Sequence, residues 1–513
     1  MFKQLLFTFF LLLFIACNVG NKSTVDINKV NTSQGMISGT ASEDGVVKIF
    51  MGIPFAEPPL GELRWKAPIA ASPWQGILPC VQPPASATQN KPQPFFCWSK
   101  EFLIPDEPIS EDCLYLNVWT PAKTNQDKLP VMVWIHGGGF SGGSGTVPLY
   151  DGEALARKGI VYVSINYRLG ILGFLAHPEL SAESEQQISG NYGLLDQIAA
   201  LKWVKENIAA FGGDPEQVTI AGQSAGAFSV NMLVVSPLAK GLFSGAIAQS
   251  GGMFGINLSL GKTLQAAEES GKQLTDNLGV SIAEMRLIPA DSLLKIPGFY
   301  SITVDNVVVP PVRETFAEGK QNDVPLISGW NADDGVSFAP PVNKQKYQEM
   351  IKLQYGKQAA EFLQVFSANT DEEAFQSQKL STSLFFGWNN YIWANLQAKT
   401  GKSKAFLYYF THVPPGEPNY GAFHSAEFGY ALHTLNKWDR PFTDTDYQLE
   451  EIMSSYWVNF TKTGNPNGEG LPEWPAFNEK TPELILFGDE VTATPLPFRK
   501  QLYFMNELNR MAQ

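Results

Sequence analysis

The run Gly222-Gln223-Ser224-Ala225-Gly226 could carry nucleophilic chemistry. It lies between an apolar stretch that reads as a strand, Val218-Thr219-Ile220-Ala221, and a segment that reads as a helix through Val235. A serine on a strand-to-helix elbow is held in a strained conformation, so its near neighbours must be small. Gly222 and Gly226 meet that demand, and Ala225 adds a third small side chain. The helix N-terminus would also turn free N–H groups towards an anion. Without that context the pattern is common, and a structural turn with an incidental serine is the plain alternative. A second centre is His136-Gly137-Gly138-Gly139-Phe140, directly after an apolar run ending at Ile135. Glycine lets backbone approach a ligand and present its N–H groups. Gly138 and Gly139, with Ala225, would cradle the oxyanion of a tetrahedral intermediate, one such donor contributing roughly 3–4 kcal/mol of barrier lowering. A phosphate loop is the rival reading, but no Gly-Lys-Ser/Thr follows.

These centres need a scaffold, and the middle of the chain supplies one. Pro130 to Ile135, Ile160 to Ile165, Val218 to Ala221, Ala246 to Ala248, Leu326 to Ser328 and Ala405 to Phe410 are continuous apolar runs. Such runs suit strands covered on both faces. Leu194 to Phe211 carries Leu194, Leu195, Ile198, Leu201, Val204 and Ile208 at helical spacing, and Gly212-Gly213-Asp214-Pro215 stops it. The alternation predicts an α/β protein with a mostly parallel, doubly wound sheet and helices on both faces.

Two further segments bring a family into view. Glu111-Asp112-Cys113-Leu114-Tyr115-Leu116-Asn117-Val118 resembles one signature of the type-B carboxylesterase and cholinesterase family, and Phe211 through Gly226 resembles the other. Gly52 to Ala56, Asn166 to Gly170 and Gly464 to Gly468 are similar to other family segments, and the likeness runs from about Val46 to about Leu502. It is nearer to the bacterial para-nitrobenzyl esterases than to the cholinesterases, which place a Trp about ten residues before the signature Cys; here Trp98 lies fifteen before Cys113. The resemblance implies an α/β-hydrolase fold, carboxylic ester hydrolysis through an acyl-enzyme on Ser224, and no metal or organic cofactor.

The base of such an enzyme must be a His, and the chain has five. His136 belongs to the glycine turn, and His177 precedes the nucleophile, the wrong side for the chain order Ser, acid, His. Among His412, His424 and His433, the resemblance selects His424, because Gly421 to Glu427 is similar to the family's catalytic His loop. The acid maps to Asp334 in Asn331-Ala332-Asp333-Asp334-Gly335, where the family commonly has Glu. Asp is one methylene shorter, so its reach is open and Asp333 is the alternative. Ser250 resembles a serine that supports the acid. The pairs Arg64 with Glu111 and Arg168 with Asp196 carry over as structural ion pairs. Amidase, thioesterase and lactonase chemistry use the same machinery, and a cholinesterase-like adhesion protein is the non-catalytic alternative. Ser292-Leu293-Leu294-Lys295 and Lys462-Thr463-Gly464 match β-lactamase elements, but no Ser-Asp-Asn lies between them.

The ends and the composition complete the expectations. The chain has 513 residues, 37 Lys+Arg against 50 Asp+Glu, and a formal charge of −13. That excludes a basic nucleic-acid footprint; a small-molecule ester is the partner that the family resemblance implies. Lys3 followed by the apolar run Leu5 to Ile15 reads as a signal segment over residues 1–16. Phe14-Ile15-Ala16-Cys17 resembles a lipobox, which makes Cys17 a lipidation candidate; an ordinary cleaved signal or an uncleaved anchor is the alternative. Residues 17–31 read as a tether and 32–513 as one catalytic domain. Periplasmic or outer-membrane-anchored export is expected, with secretion as the alternative. An export compartment permits one disulfide, and Cys97 with Cys113 is favoured over Cys80 with Cys113, three reduced cysteines being the alternative. Counted from Trp74, the family's own upstream Cys falls near Ala87.

Overall fold

The computed structural model of the protein describes residues 29–255, 261–298, 300–338 and 341–511. The expected signal segment 1–16, Cys17 and most of the expected tether lie outside the described residues. The last tether residues do not behave as a linker. Val30–Asn31 pairs antiparallel with Met36–Ser38, and Val30 is buried.

The central sheet has eleven strands. In chain order they are β1 (Thr40–Ala41), β2 (Lys48–Pro54), β3 (Tyr115–Thr120), β4 (Leu129–Ile135), β5 (Val161–Ile165) and β6 (Gly213–Gln223). There follow β7 (Gly245–Gln249), β8 (Leu326–Asn331), β9 (Ala405–Phe410), β10 (Glu483–Phe487) and β11 (Val491–Pro495). Their spatial order is β11-β10-β9-β8-β7-β6-β4-β5-β3-β2-β1. From β5 across to β10 every pairing is parallel, and the pairings at both flanks are antiparallel. The six apolar runs of the sequence are all strands of the parallel part, with ends extended by up to several residues.

Side-chain alternation explains why those runs are apolar throughout. Along β4, Val131, Val133 and Ile135 enter one hydrophobic core while Met132 and Trp134 enter another on the opposite face. Helix α1 (Tyr192–Asn207) and helix α2 (Ala225–Val235) pack into the first core, and all eleven residues of α2 are buried. Helix α3 (Asp371–Thr400) also packs there, whereas α4 (Asp444–Thr463) covers the second face. As expected, α1 gives way at its end, through a 3₁₀ turn over Ile208–Phe211 to Gly212 at φ 78°.

The same two-faced arrangement corrects the disulfide. Cys80, Cys97 and Cys113 are free and buried. Cys113 sits in the core of one sheet face and Cys97 in the core of the other, so the Cys97–Cys113 bridge does not form. Cys113 instead shares a small cavity with Ala87, the position that in the family's pattern would hold its partner.

The Pro-rich segment from Pro79 to Pro108 is partly internal. Ser86–Ala87 pairs with Ile109–Ser110, and Phe102 and Ile104 are buried. Burial of Phe102 and Ile104 folds the segment over the carboxyl ends of the parallel strands, where it helps to wall a cavity.

Candidate active site

The chain reverses direction across the sheet at β4, which lies between β5 and β6. Ligands of open α/β sheets bind beyond the carboxyl ends of strands at such a switch point. The glycine turn follows β4, and the Ser224 elbow follows its neighbour β6. The two therefore meet side by side.

Ser224 adopts φ 55°, ψ −124° between β6 and α2, a region that a side-chain-bearing residue rarely enters. Its N–H donates to the Gln249 carbonyl (2.9 Å) and its carbonyl accepts from Phe228 N–H (2.9 Å), so both sides of the turn are fixed. The elbow crosses so close to β4 that a Cβ on Gly226 would lie 2.0 Å from the Ile135 carbonyl oxygen. Only glycine fits there. In the neighbouring turn Gly138 has φ 112°, and a Cβ on it would lie 2.1 Å from the Gly142 carbonyl oxygen. Gly142 N–H donates to the Gly138 carbonyl (3.0 Å), and Gly137, Gly138 and Gly139 line the cavity that also holds Ser224. Ala225 is the first residue of α2, and its N–H is one of the four that a helix cannot satisfy internally.

His424 Nδ1 lies 2.7 Å from Asp334 Oδ1, and both side chains are buried. The second oxygen of Asp334 accepts from Asn331 N–H (2.8 Å) and from Ser250 Oγ–H (2.9 Å). The carboxylate is thus fixed at both oxygens. Asp333 does something else: it accepts from Ala422 N–H (2.8 Å) and pairs with Lys379 (2.5 Å). Asp333 N–H in turn donates to the Ala422 carbonyl (3.0 Å). These bonds clamp the backbone of the His loop against the acid loop. The shorter Asp334 arm reaches the imidazole because the two loops are drawn together.

A contact with Asp334 leaves the proton of neutral His424 on Nδ1 and the lone pair on Nε2. Gln223 Nε2 donates to that lone pair (3.1 Å). Sequence reasoning passed over Gln223, although it is one of the two variable positions of the G-x-S-x-G run. It also passed over Glu427, whose carboxylate is buried and accepts from Gln249 and Asn331 side chains. Burial, reinforced by the nearby Asp334 charge, pushes its carboxyl up to about 7. The signal for Glu427 was its place three residues after His424.

The other histidines are occupied. His136 stacks on Tyr167 at 4.4 Å with Nδ1 2.8 Å from the Gly137 carbonyl, and burial pushes it down to about 4, so it stays neutral. His177 accepts from Glu179 N–H (3.1 Å) at a helix start. His412 lies between Asp446 and Asp489, 2.8 Å from each, and His433 meets Ser454 (3.1 Å). Arg64 pairs with Glu111 (2.5 Å) and Arg168 with Asp196 (2.7 Å), each away from Ser224 and each buried on at least one side of the pair. Ser224, His424, Gly138, Gly139, Trp98 and Phe338 line one cavity of about 570 Å³. Phe385 packs against Phe386 and the core.

Residues 26–505 match the profile of the carboxylesterase family. The chain belongs to that family. A para-nitrobenzyl esterase of Bacillus subtilis is 37% identical over 491 residues, covering 90% of this chain and 95% of its own. A fumonisin B1 esterase of Sphingopyxis macrogoltabida is likewise 37% identical over 494 residues, covering 90% of this chain and 86% of its own. A solved PNB esterase structure superposes with a TM-score of 0.79 at 33% identity, over 94% of this chain and 100% of that one. The sheet order and the two layers of helices are those of the α/β-hydrolase fold that these carboxylesterases share.

Proposed function

We propose that the protein is a serine carboxylesterase in which Ser224 is the nucleophile, His424 the base and Asp334 the acid. The observation that carries the reading is the 2.7 Å His424–Asp334 contact in the wall of the cavity that also holds Ser224 and the glycine turn. His424 Nε2 takes the proton of Ser224 as its oxygen attacks the ester carbonyl. The oxyanion is held by the N–H groups of Gly138, Gly139 and Ala225. His424 then protonates the leaving alcohol, and water repeats the attack on the acyl-enzyme. Asp334, positioned by Ser250, fixes the imidazole tautomer and stabilises the imidazolium. At rest the Nε2 lone pair is taken by Gln223, so the Ser224–His424 contact tightens when substrate displaces that amide. The Arg64–Glu111 and Arg168–Asp196 pairs serve structure only.

The aromatic wall of Trp98 and Phe338 favours esters with an apolar group beside the carbonyl. Hydrolysis of a small aryl acetate tests the reading. His424→Ala should abolish turnover while leaving the melting temperature near that of the parent; undiminished turnover in that variant would refute it.

We also propose export with Cys17 lipidated and a periplasmic or outer-membrane anchorage. The support is the Lys3, Leu5–Ile15, Ala16-Cys17 pattern. Cys17→Ala should move the protein from the membrane fraction to the soluble one.

A further inference from the structure

On the far side of Trp98 from the catalytic cavity lies a groove of about 420 Å³ that no catalytic role occupies. Its edge is the turn Phe95–Trp98, closed by reciprocal backbone hydrogen bonds between its end residues (3.1 and 3.0 Å). Phe96, near the tip, is held at φ 47°, a region that ring-bearing residues rarely enter. Phe95 and Phe96 leave 57% and 48% of their surface in water. Adjacent exposed rings on a strained turn are costly for folding alone, and such strain clusters where ligands are clamped.

The groove offers flat, electron-rich surfaces. Phe96 contacts Tyr420 with ring centroids 4.5 Å apart. Arg440 lies 5.2 Å over the Trp438 ring, its guanidinium held by the Pro415 and Pro418 carbonyls (2.9 and 3.5 Å). Ring faces with a fixed guanidinium favour an aromatic guest over an alkyl chain of equal size. The groove is also joined to the catalytic centre. Phe95 and Trp98 belong to both cavities. From His424, ring contacts pass to Phe338 (4.9 Å), to Trp98 (6.1 Å) and to Phe95 (4.9 Å). The turn is tied to both catalytic loops, since Trp98 Nε1 donates to Ser425 Oγ (3.4 Å) and Cys97 Sγ lies 3.3 Å from Ser337 Oγ.

We propose that this groove is a second subsite, taking an aromatic group carried several bonds away from the scissile ester. The proposal rests on the esterase reading of the Ser224 site. The favoured substrates are therefore extended esters with a remote aromatic ring, bound through the Phe96–Tyr420 pair and the Arg440–Trp438 pair at one end and hydrolysed at the other.

A matched series tests it: phenyl-terminated esters with two to eight intervening methylenes, the ring placed once on the alcohol side and once on the acyl side. Cyclohexyl-terminated partners and a short acetate serve as references. On one of the two sides, kcat/KM relative to the short acetate should rise about tenfold once the linker reaches the groove, and the cyclohexyl partner should gain far less. Phe96→Leu and Tyr420→Leu should each lower that ratio about fivefold. An equal gain for the cyclohexyl ester, or a ratio unmoved in both variants, would overturn the subsite. Equilibrium binding of the same esters to Ser224→Ala, read by tryptophan fluorescence, reports the groove without turnover. Binding that depends on Phe96, with no hydrolysis of the short acetate by the parent protein, would sustain the groove and reject the esterase reading.

Discussion

Two side chains next to the catalytic atoms make the sharpest residue-scale claims. Gln223 presents a neutral amide to His424 Nε2 at 3.1 Å. A carboxylate in its place favours the imidazolium and cannot donate to the neutral ring. Gln223→Glu should therefore move the acid limb of the kcat/KM–pH profile to higher pH; a limb that stays in place would show that the amide does not act on the base. The two neighbouring acids are equally separable. Asp334 touches the imidazole, whereas Asp333 holds the Ala422 backbone and Lys379. Asp334→Asn should lower kcat by about 10⁴, the size seen when a triad acid loses its charge. Asp333→Asn should act mainly on thermal stability, and a larger loss of kcat there than in Asp334→Asn would reverse the roles. The serine elbow and the glycine turn were legible in the sequence because their chemistry is local. The Asp333 clamp was not, because it depends on two loops separated by about ninety residues meeting in space.

At the scale of elements, helix α4 shows how a buried charge ties packing to pH. Glu450 on α4 is buried, accepts from Leu435 N–H (2.8 Å), and has its carboxyl pushed up to about 7 by burial. A carboxyl whose folded value lies above its ordinary 4.5 holds its proton more tightly in the folded state. The stability it contributes is full below about pH 4.5 and is lost as pH rises to about 7. Glu450→Gln keeps an acceptor for Leu435 and removes the titration. The melting temperature of the variant minus that of the parent should rise from pH 5 to pH 8; a difference that is flat or falls would contradict the account. The cavity shared by Ala87 and Cys113 makes a second claim. Ala87→Cys should form a disulfide with Cys113 on oxidation, adding about 3.5 kcal/mol by closing the loop from residue 87 to residue 113. Thiol titration of the unfolded protein before and after reduction checks it, and unchanged thiol numbers would refute the placement. Six of the seven strands in the parallel part, all but β10, were readable from their apolar runs. The antiparallel strands β1, β2 and β11 were not, because half-exposed strands carry a mixed pattern. The Cys97–Cys113 pairing failed for a related reason: the count of cysteines does not say which sheet face each one enters.

The whole molecule is an acidic chain in which one twisted sheet brings four loops to a single point. The turns after β4, β6, β8 and β9 carry the glycine turn, Ser224, Asp334 and His424, and the Pro79–Pro108 segment closes the space above them. Membership of the carboxylesterase family and the geometry of that meeting point lead to the same chemistry, acyl transfer through a serine. The direct measurement is covalent labelling with an organophosphonate, followed by intact mass and kcat/KM for a small aryl acetate, in the parent protein and in Ser224→Ala. The account predicts that the parent takes up a single phosphonyl group and loses its activity in step with labelling. Ser224→Ala should take up none, with kcat/KM lowered by about a thousandfold or more. A folded Ser224→Ala protein that still labels, or that hydrolyses the ester at the parent's rate, would contradict it.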